Sequence, residues 1–131
     1  MIVDYNRRLF QVVGDNAMQA ILEQNDINSE ELYTLLQARD KGKTDFVLVD
    51  VRENKEFNIG HIKGVDMLRP TSSFNQWGQE LFNELKDKTI VFTCRTGNRS
   101  GQMQNIFRQN GHKRVLNHFG GIVAYRGPME R

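Results

Sequence analysis

At 131 residues, with 38% hydrophobic and 26% charged residues and two prolines, the chain suits one soluble domain around one core and lacks the composition of a disordered protein. Its net charge of +2, with no run of five or six basic residues, gives no case for nucleic-acid binding. A single cysteine excludes an internal disulfide and, with His61, His112 and His118 widely spaced, argues against a metal site.

No segment approaches the roughly 20 apolar residues of a membrane span, and Met1 to Gly14 lack the apolar stretch of a signal peptide, so a cytoplasmic protein with no membrane partner is expected. Residues 1–25 read as an N-terminal helical extension to a domain over 26–131. Leu9, Phe10, Val13, Ala17, Met18, Ile21 and Leu22 recur at helical spacing, broken at Gly14-Asp15-Asn16, where Asp15 or Asn16 suits a helix cap. Such a helix packs on its own domain or forms a homodimer contact.

From Ile27 onward helix and strand patterns alternate. Ser29-Glu30-Glu31 starts a helix with a capping hydroxyl and acidic first turn, Leu32, Leu35 and Leu36 form its buried stripe to about Arg39, and Lys41-Gly42-Lys43 ends it. Phe46 to Val51 is almost unbroken apolar sequence, as a strand covered on both faces requires. Gly64 to Leu68 adds a short strand, and Phe74 to Leu85 a helix in which Phe74, Trp77 and Leu81 face the core or a pocket wall. Ile90 to Thr93 is a second buried strand, Ser100 to Gln109 a helix stopped by Asn110-Gly111, and Val115-Leu116 a further strand. The pattern predicts an α/β sandwich with a mostly parallel sheet, with ligands beyond the carboxyl ends of the strands.

Cys94 falls at such an end and is followed by Arg95-Thr96-Gly97-Asn98-Arg99-Ser100. A buried thiol filling space at a strand end needs neither arginine. A loop that curls around the sulfur, opens a helix and carries positive charge gathers N–H donors and a helix dipole on it, which favours thiolate. Gly97 permits a positive φ or close backbone approach.

Three segments in order carry a resemblance: Leu48 to Glu53 with Glu56-Phe57 and Gly60-His61-Ile62-Lys63-Gly64, then Cys94 to Ser100, then Gly120-Gly121. Together they resemble the rhodanese (thiosulfate sulfurtransferase-like) domain over about Ile27 to Gly127, which implies a three-layer α/β/α sandwich. The resemblance implies that Cys94 takes a sulfane sulfur from a small anionic donor, thiosulfate or polysulfide, and passes it as a persulfide to cyanide or a thiol, including that of a thioredoxin-like protein. No cofactor or metal is implied. Arg95, Thr96, Gly97, Asn98, Arg99 and Ser100 are the expected substrate-binding residues. Arg52 is a further candidate anion contact, set against a role in tying the strand end together with Asp50 and Glu56.

His61 is a conceivable base for Cys94, but a low-pKa thiol needs none, and the resemblance makes this histidine part of the framework. Tyr125 stands where the family often has tryptophan, an aromatic plug whose hydroxyl needs a partner. The Cys-x4-Arg spacing from Cys94 to Arg99 is one residue shorter than in phosphatases of this fold and suits one sulfur atom better than a phosphoryl group. The alternatives are a partner-dependent sulfur-carrier or binding module and, less favoured, the phosphatase.

Overall fold

The computed structural model describes residues 17–131. The helical reading of residues 1–16 and any dimer contact they make lie outside them. A helix, α1, covers residues 17–22, and its Ile21 is buried with Ile27, Leu32 and Leu35 while Met18 and Leu22 pack on the same cluster. This part of the extension thus packs on its own domain.

Five strands, β1 (Asp26–Ile27), β2 (Val47–Asp50), β4 (Met67–Leu68), β5 (Ile90–Thr93) and β6 (Val115–His118), form one sheet in the order β1-β6-β5-β2-β4. Every neighbouring pair is parallel. Alternation along the strands divides the core into two layers. Leu48, Val91 and Leu116 face a cluster with Leu32, Leu35 and Leu36 of α2 (Ser29–Asp40). On the other face Val49, Ile90, Phe92 and Val115 join Trp77 and Leu81 of α4 (Phe74–Glu84) and Met103 and Phe107 of α5 (Asn98–Gln109). The predicted three-layer sandwich is the observed fold, and Cys94 belongs to the α4/α5 layer.

Helix α2 starts at the predicted residue with a different cap. Asn28 Oδ1 accepts from Glu31 N at 2.8 Å while Glu31 Oε1 accepts from Asn28 N at 2.9 Å, a reciprocal capping box. The Ser29 hydroxyl instead bonds His118 Nε2 at 2.8 Å. Helix α5 starts at Asn98, two residues earlier than the pattern suggested, because Gly97 takes a left-handed conformation at its N-cap.

Five elements are not anticipated by the sequence, beginning with the two-residue strand β1. Another is the short helix α3 (Asn54–Ile59). The others are the antiparallel pair of β3 (His61–Ile62) and β7 (Met129–Glu130), and α6 (Gly121–Ala124). A 3-10 turn, Thr71–Ser73, leads into α4. No described helix is long and apolar enough to cross a membrane.

Candidate active site

Strand β5 carries Cys94 to the carboxyl edge of the sheet, where the chain leaves the ladder and turns directly into α5. Cys94 is 1% exposed, yet its sulfur is surrounded by donors. Sγ accepts from Gly97 N at 3.1 Å, Ser100 N at 3.4 Å and the Ser100 hydroxyl at 3.3 Å. Burial alone raises the pKa of the thiol, but these bonds from Ser100 and Gly97, with a further contribution from the Thr96 N–H, outweigh it and bring the thiol below its ordinary value. The positive end of α5 acts in the same direction.

Backbone geometry explains the glycines. Gly97 has φ 98°, and a Cβ there would collide with the Phe119 carbonyl oxygen and lie 2.7 Å from its carbon. Gly121, at φ 67°, lies so close to the Arg95 carbonyl that a Cβ would strike its oxygen and come within 2.6 Å of Thr96 N. Both positions therefore need a residue without a side chain. Two further bonds dock α6 on the loop, Ile122 N to Cys94 O at 2.9 Å and Val123 N to Arg95 O at 3.1 Å.

The two loop arginines differ. Arg99 makes a two-pronged pair with Glu56 of α3, Nη1 to Oε1 at 2.6 Å and Nη2 to Oε2 at 2.9 Å. Its hydrogen bonds hold the Glu56 carboxyl down at about 2. Arg95 is exposed, and among the described residues its side chain has no carboxylate partner. Thr96 and Asn98 are exposed, whereas Gly97 and Ser100 are buried.

Arg52 is buried and committed elsewhere. Its Nη2 donates to Asp50 Oδ2 at 2.8 Å and to Gly60 O at 2.7 Å, with Nε also on the Asp50 carboxylate. It ties the end of β2 to the turn after α3. His61 Nδ1 bonds Phe57 O at 3.0 Å and its ring stacks on Phe57 at 3.9 Å, a framework position. Trp77 is buried and donates from Nε1 to Pro70 O at 2.7 Å. The Tyr125 hydroxyl is buried with no hydrogen-bond partner among the described residues, and burial pushes its pKa up to about 12.

Several supporting groups were not singled out in the sequence. Asn117 Nδ2 donates to Gly97 O at 3.2 Å, tethering the loop from β6. His118, fully buried, bridges Thr93 Oγ1 through Nδ1 and Ser29 Oγ through Nε2, both at 2.8 Å, and burial pushes it down to about 4. Arg69 follows β4 at the same sheet edge as Cys94, its Nη1 on Leu68 O and no carboxylate partner among the described residues. The available signal for Asn117 and His118 was a polar pair closing the strand that Val115-Leu116 begins. Among the described residues no cluster of His, Cys, Asp and Glu is arranged to hold a metal ion.

A parallel three-layer sandwich with a donor-lined cysteine loop at its carboxyl edge is the architecture of the rhodanese-like proteins. The family model of the rhodanese-like domain matches residues 31–127, and the chain belongs to this sulfur-transfer family. It is 34% identical over 129 residues to the probable adenylyltransferase/sulfurtransferase MoeZ of Mycobacterium tuberculosis, matching 98% of this chain and 31% of that protein. It is 32% identical over 84 residues to the tRNA uridine(34) hydroxylase of Cronobacter sakazakii, matching 62% of this chain and 24% of that one. The chain thus spans less than a third of the length of either relative. A crystal structure of a rhodanese-related protein from Thermoplasma volcanium superimposes with a TM-score of 0.66 at 25% identity, covering 82% of this chain and 98% of that one.

Proposed function

We propose that the protein is a thiosulfate sulfurtransferase-like enzyme in which Cys94 carries sulfane sulfur as a persulfide. The observation that supports this most directly is the buried Cys94 sulfur with three donors on it. In the first half-reaction the Cys94 thiolate attacks the outer sulfur of thiosulfate, a polysulfide or a donor persulfide. A new S–S bond forms, the donor's own S–S bond breaks, and its electron pair leaves with sulfite or the shortened donor. In the second, a thiolate or cyanide attacks the outer sulfur of the persulfide, and the electron pair of that S–S bond returns to Cys94.

The loop serves both halves by stabilising an anion, first the thiolate and then the persulfide sulfur. Its N–H groups and the Ser100 hydroxyl are the principal donors, and Arg95 is the cation available for the oxyanion of the donor. Thr96 and Asn98 line the open side of the loop. Arg99, held by Glu56, contributes a largely neutralised charge, and Arg52 keeps the neighbouring strand end in place. No cofactor enters this scheme, and a reducing cytoplasm keeps the lone thiol ready for the next cycle.

Mass spectrometry after exposure to thiosulfate or polysulfide tests the reading. Cys94 is expected to gain one sulfur, about 32 Da, that dithiothreitol removes. Cys94→Ser is expected to fold and gain none. Failure of the wild-type chain to take up sulfur from either donor would refute the proposal, and Cys94-dependent turnover of an aryl phosphate would favour the phosphatase alternative. Uptake of sulfur without release to cyanide or a small thiol would instead mark a partner-dependent carrier.

A further inference from the structure

The rim around Cys94 carries features that a small inorganic anion does not use. Among the described residues five large hydrophobic side chains are exposed: Tyr33, Ile59, Phe119, Val123 and Met129. Scattered singly they would mean nothing. Three of them, however, belong to segments that touch the cysteine loop. Phe119, 51% exposed, has its backbone against Gly97. Val123, 58% exposed, donates its N–H to the Arg95 carbonyl. Ile59, 77% exposed, ends the helix whose Glu56 holds Arg99.

Charge at this edge is mixed, with Arg95 its exposed cation and Glu53, just beyond β2, accepting from the Ser72 hydroxyl. Arg95 and Arg69 lack a carboxylate partner among the described residues, while Arg99 and Arg52 are already neutralised. A surface that combines exposed apolar side chains with the exposed Arg95 guanidinium beside the cysteine complements an apolar segment bearing a carboxylate. The sulfur at its centre is almost fully buried, so a protein thiol reaches it only from a protruding loop or chain end.

Resting on the sulfur-transfer reading above, we propose that Phe119 and Val123 form the apolar rim of a docking surface for a protein acceptor. Its cysteine lies on a protruding segment beside an apolar residue and an acidic one. The acceptor thiol loses its proton to solvent, and its thiolate attacks the outer sulfur of the Cys94 persulfide. One S–S bond forms and one breaks, the electron pair passes to Cys94 as thiolate, and the acceptor leaves as a persulfide with no net oxidation. Docked apolar side chains keep water from the exchanging sulfurs, and Arg95 fixes the direction of approach.

The test uses the full chain charged with polysulfide and a short synthetic peptide containing Leu-Cys-Asp as acceptor. Comparison peptides carry Ser for Leu or Asn for Asp, cyanide is the small acceptor, and peptide rates are normalised to thiolate content. Replacing Leu by Ser in the peptide, or making Phe119→Ser or Val123→Ser in the protein, is expected to lower kcat/KM for the peptide relative to that for cyanide by about fivefold, the scale of a partly buried apolar contact. Asn for Asp is expected to lower it by about threefold, with the loss shrinking in high salt. Met129→Ser, away from the loop contacts described, leaves the ratio unchanged. Equal use of all peptides, or rim variants that slow peptide and cyanide alike, would overturn the docking surface while leaving sulfur transfer intact. A chain that takes up no sulfur fails in the earlier experiment and removes both.

Discussion

Replacing Gly97 with alanine tests how the sulfur is held. The residue sits at φ 98°, and its N–H is the closest hydrogen-bond donor to Cys94 Sγ, at 3.1 Å. An L-residue held in the left-handed region costs roughly 1–2 kcal/mol. Here the added Cβ also collides with the Phe119 carbonyl, so the backbone must move, which brings the expected destabilisation to about 2–4 kcal/mol. That movement withdraws the Gly97 N–H from the sulfur and strains the Asn117 tether on Gly97 O. Losing a donor to the anion disfavours the thiolate, so Cys94 titrates at higher pH in the variant. Loss of one aimed donor from a site that stabilises developing charge lowers rate by about 100-fold. Urea unfolding gives the stability change, and the pH dependence of iodoacetamide alkylation gives the acidity. A variant that folds, alkylates with the wild-type pH profile and transfers sulfur within twofold of the wild-type rate would refute this account of the loop.

Two further predictions concern charge. His118 sits near 4 in the folded protein, below its ordinary 6.5, so protons bind the unfolded chain preferentially. Its contribution is complete above about pH 6.5 and declines as pH falls toward 4, by at most about 3 kcal/mol. Urea midpoints measured across that window should fall more steeply for wild type than for His118→Gln, and parallel declines would exclude the histidine as the cause. Glu56→Gln removes the charge opposite Arg99. Because that pair is partly exposed, the expected loss of stability is no more than about 1 kcal/mol. The freed guanidinium should lower the KM for thiosulfate by roughly threefold. An increased KM would show instead that Glu56 holds Arg99 in its working position.

The strands and long helices were legible because burial leaves a periodic mark. Val47 to Asp50 and Ile90 to Thr93 are apolar enough to need cover on both faces, and Leu32, Leu35 and Leu36 mark one side of α2. Short elements lack that signal. Helix α3 has six residues, none of them buried, and β3 and β7 pair over two residues each, so tertiary contacts rather than periodicity define them. The cap of α2 was misplaced by one residue because Asn28 and Ser29 both suit it. His118 decides the matter by engaging the serine hydroxyl from 89 residues away.

At the candidate site the sequence marked the donors more readily than their restraints. Cys94, Gly97 and Ser100 lie within seven consecutive residues, and local chemistry relates them. Arg99 reads as an anion contact until folding brings Glu56, 43 residues earlier, to its guanidinium. Asn117 gave no hint that its amide would reach Gly97, since only the parallel β5–β6 register brings it there.

The attachment of α6 to the loop has a consequence for the direction of its dipoles. A trans peptide group is a rigid plane whose C=O and N–H point opposite ways. By drawing the Arg95 carbonyl outward, Val123 N also turns the Thr96 N–H of the same plane inward, toward the sulfur. The electrostatic interior of the ring is therefore set from its outside, by a backbone N–H that bonds the loop's carbonyl rather than the sulfur. The acidity of Cys94 is thereby tied to α6, and a substitution that rotates this helix is expected to change the reactivity of the thiol.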